Sequence, residues 1–174
     1  MVNNLTQFSL HNMLIWIVSF SIIEFPMRYF YLNIVGGKNV EKWYNFKDFN
    51  IYNVIAGDLF YVLVGIIITY RIYNYYFKNH NNILKFFAVF LVVQFIGDIS
   101  FYNIVSNIPN TYNTKWINFF KNYGKTSGIN AVFGDSIYIA IWTIVAYSIR
   151  NFSLDILLSI LFSFIFIVSA IAEM

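Results

Sequence analysis

Three aspartates in this sequence each follow a glycine and are followed by a tyrosine three or four residues later. The segments are Gly57-Asp58-Leu59-Phe60-Tyr61, Gly97-Asp98-Ile99-Ser100-Phe101-Tyr102 and Gly134-Asp135-Ser136-Ile137-Tyr138. Each segment lies in a long apolar stretch of the kind that crosses a membrane. An ionisable group inside a membrane is costly, so it tends to face the protein interior. A binding site for protons or cations is therefore the first functional hypothesis.

Helical spacing adds polar neighbours to these aspartates. Gln94, Asp98 and Tyr102 align at one-turn intervals. In the first apolar stretch Glu24 and Arg28 lie one turn apart and can pair, and Pro26 between them predicts a kink. The predicted acidic pocket consists of Asp58, Asp98, Asp135, Tyr61, Gln94, Tyr102, Tyr138, Glu24 and Arg28.

The charges in this predicted pocket do not balance, because four carboxylates face one arginine. Protons, a cation, a loop lysine or an external partner must compensate. Each aspartate lies about 10 Å inside its span, at about 1.5 Å per helical residue, so it can also reach headgroup water or cap a neighbouring backbone. A purely structural role stays open for each of them. The sequence predicts no cofactor and leaves a metal ion undetermined.

The composition indicates lipid as the solvent of this chain. Of its 174 residues 59% are hydrophobic and 11% are charged, against about 25% charged residues in soluble domains. We expect one integral membrane domain over residues 1–174. The absence of cysteine excludes disulfides, thiolate metal sites and cysteine nucleophiles. The formal charge of +3 comes from loop lysines, so it favours anionic lipid headgroups and not nucleic acid as the partner.

Five apolar stretches are long enough to span a bilayer. They lie near residues 10–35, 51–73, 83–105, 128–149 and 153–172. The sequence therefore predicts an all-α fold, a polytopic transmembrane helical bundle of about five spans, or of four if the first or the last does not cross. The turns at 78–82 and 150–151 are short, so the helices that they join must be antiparallel neighbours.

Threading five spans through a bilayer gives the chain two unlike sides. We call the side of the N-terminus side A and the opposite side, with the two long loops and the C-terminus, side B. The long loops carry six lysines against four basic residues near side A, so the positive-inside bias predicts that side B is cytoplasmic. All three aspartates enter from side B to a similar depth.

The second long loop contains a periodic aromatic face. Trp116, Phe119, Phe120 and Tyr123 recur at helical spacing, with lysines and asparagines opposite. This pattern predicts a short interfacial amphipathic helix near 115–125 that anchors the loop in the side B headgroups. A helix that binds a partner is the alternative.

Part of the chain resembles small multi-pass membrane proteins encoded by large DNA viruses of protists and algae. The resemblance lies in Phe95-Ile96-Gly97-Asp98, Trp116-Ile117-Asn118-Phe119-Phe120-Lys121-Asn122-Tyr123 and Gly134-Asp135-Ser136, within 94–148, and extends to Gly57-Asp58-Leu59-Phe60-Tyr61. It implies a viral or host membrane as the location, and it implies no catalytic residue.

Two further hypotheses stand beside a proton or cation site. One is a structural component of a virion or of a virus-modified host membrane. The other is a metal-assisted enzyme that acts on lipid headgroups. Intramembrane aspartyl proteases use a Gly-x-Gly-Asp motif, but Ile55, Phe95 and Val132 occupy the first glycine position here. We therefore expect a protein without enzymatic activity, with the lipid bilayer as partner, a proton or cation as ligand, and a homo-oligomer as an open alternative.

Overall fold

The computed structural model describes residues 3–35, 38–44, 49–78 and 80–173. These residues form seven α-helices and contain no strand, which confirms the predicted all-α fold. The helices are α1 (Leu10–Phe30), α2 (Lys38–Tyr44), α3 (Ile51–Phe77), α4 (Ile83–Asn107), α5 (Lys115–Ser127), α6 (Ile129–Ile149) and α7 (Leu154–Ala172).

Five helical segments are long and apolar enough to cross a membrane. They are Leu10–Ile34, Ile51–Phe77, Ile83–Asn107, Asn130–Ile149 and Leu154–Ala172. Their surfaces carry many exposed Phe, Ile, Leu and Val side chains, which in water would form an aggregation-prone surface but in a bilayer face lipid tails. The chain is a multi-pass membrane protein.

Helix α1 lies at the centre of the bundle. Within the most apolar 18 residues of each span, 56% are buried in the first span and 11% in α7. α1 packs against α6 and α7, α3 packs against α4, and α4 also packs against α6. The first span therefore provides much of the surface around which the other spans assemble.

A buried aromatic core joins α1 to three other spans in the half of the bundle that is nearer side A. The Trp16 ring lies 5.3 Å from that of Trp142 and 6.1 Å from those of Phe86 and Phe90, centroid to centroid. The Trp142 indole donates to the Trp16 carbonyl (2.9 Å), and the Trp16 indole donates to the Tyr70 hydroxyl (3.0 Å). A buried Trp or Tyr needs such a partner, because an unpaired N–H or O–H is costly inside a protein.

Short polar side chains set the beginnings of the helices. Asn50 Oδ1 accepts a hydrogen bond from the Tyr52 amide (2.8 Å), and Asn82 Oδ1 accepts one from the Lys85 amide (3.0 Å). Such N-caps satisfy amide groups that have no partner within the helix. At the other end of α3, Lys78 adopts a left-handed conformation with φ 46° and ends the helix.

Helix α1 continues through Pro26 without interruption in its helical assignment. Beyond Phe30 the backbone widens into a π-helical turn over Tyr31–Val35. The irregularity therefore lies one turn after the proline, near the side B end of the span, where Tyr31 is turned towards α6. Such π-turns are frequent at functional sites.

The segment before α1 joins the two short turns on side A. The Asn3 amide donates to Asn151 Oδ1 (3.0 Å), and the Thr6 hydroxyl donates to the His80 carbonyl (3.1 Å). The Tyr70 hydroxyl donates to the Leu5 carbonyl (2.8 Å). Since Leu5 and Thr6 are buried, this segment closes the side A end of the bundle.

Candidate functional site

Four carboxyl groups from four spanning helices form a connected series of like-charge interactions. We call Glu24 of α1, Asp58 of α3, Asp98 of α4 and Asp135 of α6 the acidic cluster. Asp98 interacts electrostatically with Asp135, Asp135 with Asp58, and Asp58 with Glu24. Arg28 attracts both Glu24 and Asp58. The bundle thus brings together groups that lie more than a hundred residues apart in sequence.

Asp98 is held by one side chain of its own helix and one of α3. The Tyr61 hydroxyl donates to Asp98 Oδ1 at 2.8 Å, and Gln94 Nε2 donates to the same oxygen at 2.6 Å. The second oxygen, Asp98 Oδ2, is buried and accepts no hydrogen bond from the described residues. One side of this carboxyl group is therefore saturated and the other is open to a further donor.

Asp58 has a partner from outside the spanning helices. Trp43 of α2 is buried, and its indole nitrogen donates to Asp58 Oδ2 at 3.1 Å. The sequence did not identify Trp43 as a site residue, because a tryptophan in a basic loop beside a membrane is typical of an interfacial anchor. Only the folding of α2 back over the end of α3 brings the two groups together.

Glu24 and Arg28 are both buried in α1, one turn apart. The Tyr138 hydroxyl of α6 donates to Glu24 Oε2 at 3.0 Å. The other oxygen, Oε1, is buried and has no donor among the described residues. Tyr138 was grouped with Asp135 from its spacing, yet it donates to α1, because its ring packs against Phe20.

Asp135 lies beside tyrosines from two other elements. Tyr31, in the π-helical turn, donates through its hydroxyl to the Gly134 carbonyl at 2.9 Å and interacts electrostatically with Asp135. Tyr123 of α5 interacts electrostatically with Asp135, Asp58 and Asp98. Sequence spacing indicated neither tyrosine as a partner of this carboxyl group, because neither lies on the same helix as Asp135.

Tyr102 lies one turn beyond Asp98 on α4 and contacts α5. Its ring contacts Gly124 of α5, so closely that a side chain at position 124 would overlap it. Tyr102 is 36% exposed. The contact joins the side B end of α4 to α5.

An aromatic cluster covers the side B end of the acidic cluster. This side B cap consists of Trp43, Phe49, Val54, Trp116, Phe119, Phe120 and Tyr123. The Trp43 and Phe119 rings are stacked with 5.1 Å between centroids, and Phe49 and Trp116 are 4.6 Å apart. The aromatic face of α5 that was predicted to anchor the loop packs against Trp43 of α2, against Phe49, and against Phe101 of α4. Its anchoring role stays a prediction for the partly exposed Trp116 and Phe120.

Tyr123 connects this cap to the acidic cluster. Burial raises the pKa of the Tyr123 hydroxyl above its ordinary value, and the nearby Asp135 carboxylate raises it further. The hydroxyl therefore stays protonated and can serve as a hydrogen-bond donor above the cluster.

No three His, Cys, Asp or Glu side chains come close enough together to hold a metal ion within residues 3–35, 38–44, 49–78 and 80–173. Divalent cations such as Ca²⁺ and Mg²⁺ prefer six or more oxygen ligands around one point. In the acidic cluster each carboxyl group interacts electrostatically with its neighbour in the series.

Comparisons with known proteins found no matching family model, no matching curated protein and no matching solved structure.

Proposed function

We propose that this multi-pass membrane protein binds protons at its acidic cluster. The observation that carries the proposal is the series of like-charge interactions from Asp98 through Asp135 and Asp58 to Glu24. With all four groups ionised, four negative charges would meet the single positive charge of Arg28. A charged group at the bilayer centre costs about 2.5–3.5 kcal/mol on insertion scales, and like charges add to that cost. Proton binding lowers both costs.

The hydrogen bonds of the cluster leave places for these protons. Both donors to Asp98 use Oδ1, while Oδ2 accepts no hydrogen bond from any residue in the described part of the chain. Glu24 has the same arrangement, since Tyr138 donates to Oε2 and Oε1 has no described donor. A proton on Asp98 Oδ2 or Glu24 Oε1 would disturb none of these bonds.

The packing between the cluster and side A closes the bundle in that direction. Between the cluster and side A the bundle is filled by Trp16, Phe86, Phe90 and Trp142, each at most 1% exposed. These rings offer no chain of hydroxyl or carboxyl groups along which a proton could move. We therefore propose proton binding, and not proton conduction by a single chain, as the activity.

Infrared titration of the purified full-length protein in lipid nanodiscs tests the proposal. A protonated carboxyl group has a carbonyl stretch that a carboxylate lacks. We expect this band at neutral pH in the parent protein and a smaller band in Asp98→Asn and Asp135→Asn. Asp155→Asn is the matched control, because Asp155 is exposed in the first turn of α7, and it should keep the parent's band.

Two results would contradict the proposal. One is the absence of a protonated carboxyl band from the parent protein at neutral pH. The other is an equal band in the parent and in both cluster variants, which would assign the proton elsewhere. Proton flux into liposomes that contain the protein distinguishes binding from transport. We expect no flux above that of empty liposomes. A flux in the parent protein that Asp98→Asn abolishes would instead show that the protein conducts protons.

We also propose a viral or host membrane as the location, with side B facing the cytoplasm. The support is the resemblance to viral multi-pass proteins and the six lysines of the side B loops. Because the chain has no cysteine, single cysteines report the orientation without background. A membrane-impermeant maleimide should label Asn151→Cys in intact cells and Lys42→Cys only after permeabilisation, and the reverse pattern would invert the orientation.

A further inference from the structure

An apolar groove lies between α3 and α4 on the outer surface of the bundle, in the half nearer side A. Its volume is about 410 Å³, within the roughly 300–1,000 Å³ typical of small-molecule sites. Phe77 of α3 lines it together with Lys85, Ala88, Val89, Val92 and Ile96 of α4. Lys85, Ala88, Val92 and Ile96 are exposed, so the groove opens towards lipid.

The end of the groove at side A is positively charged. The Lys85 ammonium group lies 5.6 Å from the centre of the Phe77 ring, which lines the groove. Arg71 and Lys78 are exposed near the same end of the α3–α4 hairpin. The sequence contains no Asp or Glu from Leu59 to Gly97. No acidic residue of this hairpin therefore neutralises the three cations at its side A end.

The length of the groove matches one leaflet of a membrane. Lys85 and Ile96 are eleven residues apart on one helix, so about 16 Å separates them at 1.5 Å per residue. The hydrocarbon core is about 30 Å thick, so one leaflet contributes about half of that. A molecule that lies in the groove with its charged end at Lys85 would reach the bilayer midplane.

We infer that this groove binds one anionic phospholipid, with an acyl chain along Val89, Val92 and Ile96 and the phosphate at Lys85. Both requirements of that ligand are present: an apolar channel of one leaflet's length, and a cation at its headgroup end that no acidic residue of the hairpin neutralises. The site is separate from the acidic cluster, and neither inference depends on the other.

Native mass spectrometry of the full-length protein in detergent tests the inference. The probes are phosphatidylglycerol and phosphatidylcholine with identical acyl chains. We expect phosphatidylglycerol to bind more tightly, and Lys85→Gln to weaken it about fivefold, the effect of one surface lysine on an anionic lipid, with little change for phosphatidylcholine. Ala88→Phe, which fills the groove, should weaken both lipids.

Leu84→Phe is the matched control, because Leu84 is 75% exposed on α4 and does not line the groove; it should bind both lipids as the parent does. Equal affinity of the parent for the two lipids would overturn the assignment of the phosphate to Lys85. Unchanged binding in Ala88→Phe, with circular dichroism equal to that of the parent, would overturn the groove as the site. Displacement of phosphatidylglycerol by an equal concentration of glycerol phosphate would overturn the role of the acyl chain.

Discussion

The indole nitrogen of Trp43 and Oδ2 of Asp58 are 3.1 Å apart and form a hydrogen bond between α2 and α3. Trp43 also stacks on Phe119 of α5. One side chain thus links the acidic cluster to both helices of the side B cap. A change in the charge of Asp58 would alter this bond, because a carboxylate accepts a stronger hydrogen bond than a carboxylic acid does.

Trp43→Phe should destabilise the protein by about 1–2 kcal/mol, the range for a lost hydrogen bond to a polar or charged group. The substitution removes the indole donor and also shortens the ring that packs against Phe49, Trp116, Phe119 and Phe120. Thermal unfolding in detergent, followed by circular dichroism, measures the change. Trp116→Phe is the control within the same cap. An equal loss of stability in Trp43→Phe and Trp116→Phe would show that the smaller ring, and not the lost hydrogen bond, causes the effect.

Tyr70→Phe should destabilise the bundle by about 1–3 kcal/mol, because it leaves two buried polar groups without partners. The Tyr70 hydroxyl accepts from the Trp16 indole and donates to the Leu5 carbonyl, and all three residues are buried. The same unfolding measurement applies. Tyr75→Phe, at a site that is 78% exposed, should change little, and comparable losses at the two positions would contradict the role of the buried bonds.

The spans could be predicted from the sequence because a bilayer imposes about 20 apolar residues on each of them. The five predicted stretches correspond to α1, α3, α4, α6 and α7 within a few residues. Helix α2, with only seven residues, was not predicted. It is too short to give a periodic signal and is stabilised by aromatic contacts with α5.

The partners within the site were harder to predict than the carboxyl groups themselves. One-turn spacing correctly places Gln94 beside Asp98, because both lie on one helix face. The same reasoning grouped Tyr61 with Asp58 and Tyr138 with Asp135, but these hydroxyls donate to Asp98 and Glu24 on neighbouring helices. Spacing within a helix indicates which face a side chain occupies, whereas its partner depends on how the helices pack.

Gly124→Ala should destabilise the contact between α4 and α5. The Tyr102 ring occupies the space that a methyl group at position 124 would need. Overpacking costs about 1–3 kcal/mol and the gain in helix propensity offsets up to about 1 kcal/mol, so we expect a net loss near 1 kcal/mol. Thermal unfolding measures it, and adding Tyr102→Ala should make Gly124→Ala neutral or stabilising.

The matched control for this prediction is Gly57→Ala. Nothing lies within 4 Å of a methyl group at position 57, so only the gain in helix propensity should remain. We expect Gly57→Ala to be stabilising by up to about 1 kcal/mol. If Gly124→Ala and Gly57→Ala changed the free energy of unfolding by the same amount, the contact between Tyr102 and Gly124 would not limit packing.

Tyr123→Phe should make stability less sensitive to alkaline pH. Burial raises the pKa of Tyr123 in the folded protein, while in the unfolded chain a tyrosine loses its proton near pH 10. Above that pH the folded state therefore holds more protons than the unfolded state, so stability falls as pH rises. The contribution of Tyr123 is fully present below about pH 10. We expect the midpoint of thermal unfolding to fall less steeply above this pH in Tyr123→Phe than in the parent.

Tyr112→Phe controls for the loss of a tyrosine at a site outside the cap, since Tyr112 is 71% exposed. The two variants and the parent should be compared at matched ionic strength, because like charges exposed at alkaline pH are screened by salt. If Tyr123→Phe and Tyr112→Phe showed the same slope above pH 10, the hydroxyl of Tyr123 would not be shielded from water beside the acidic cluster. A shallower slope in Tyr123→Phe alone would place α5 against the side B end of the cluster in solution.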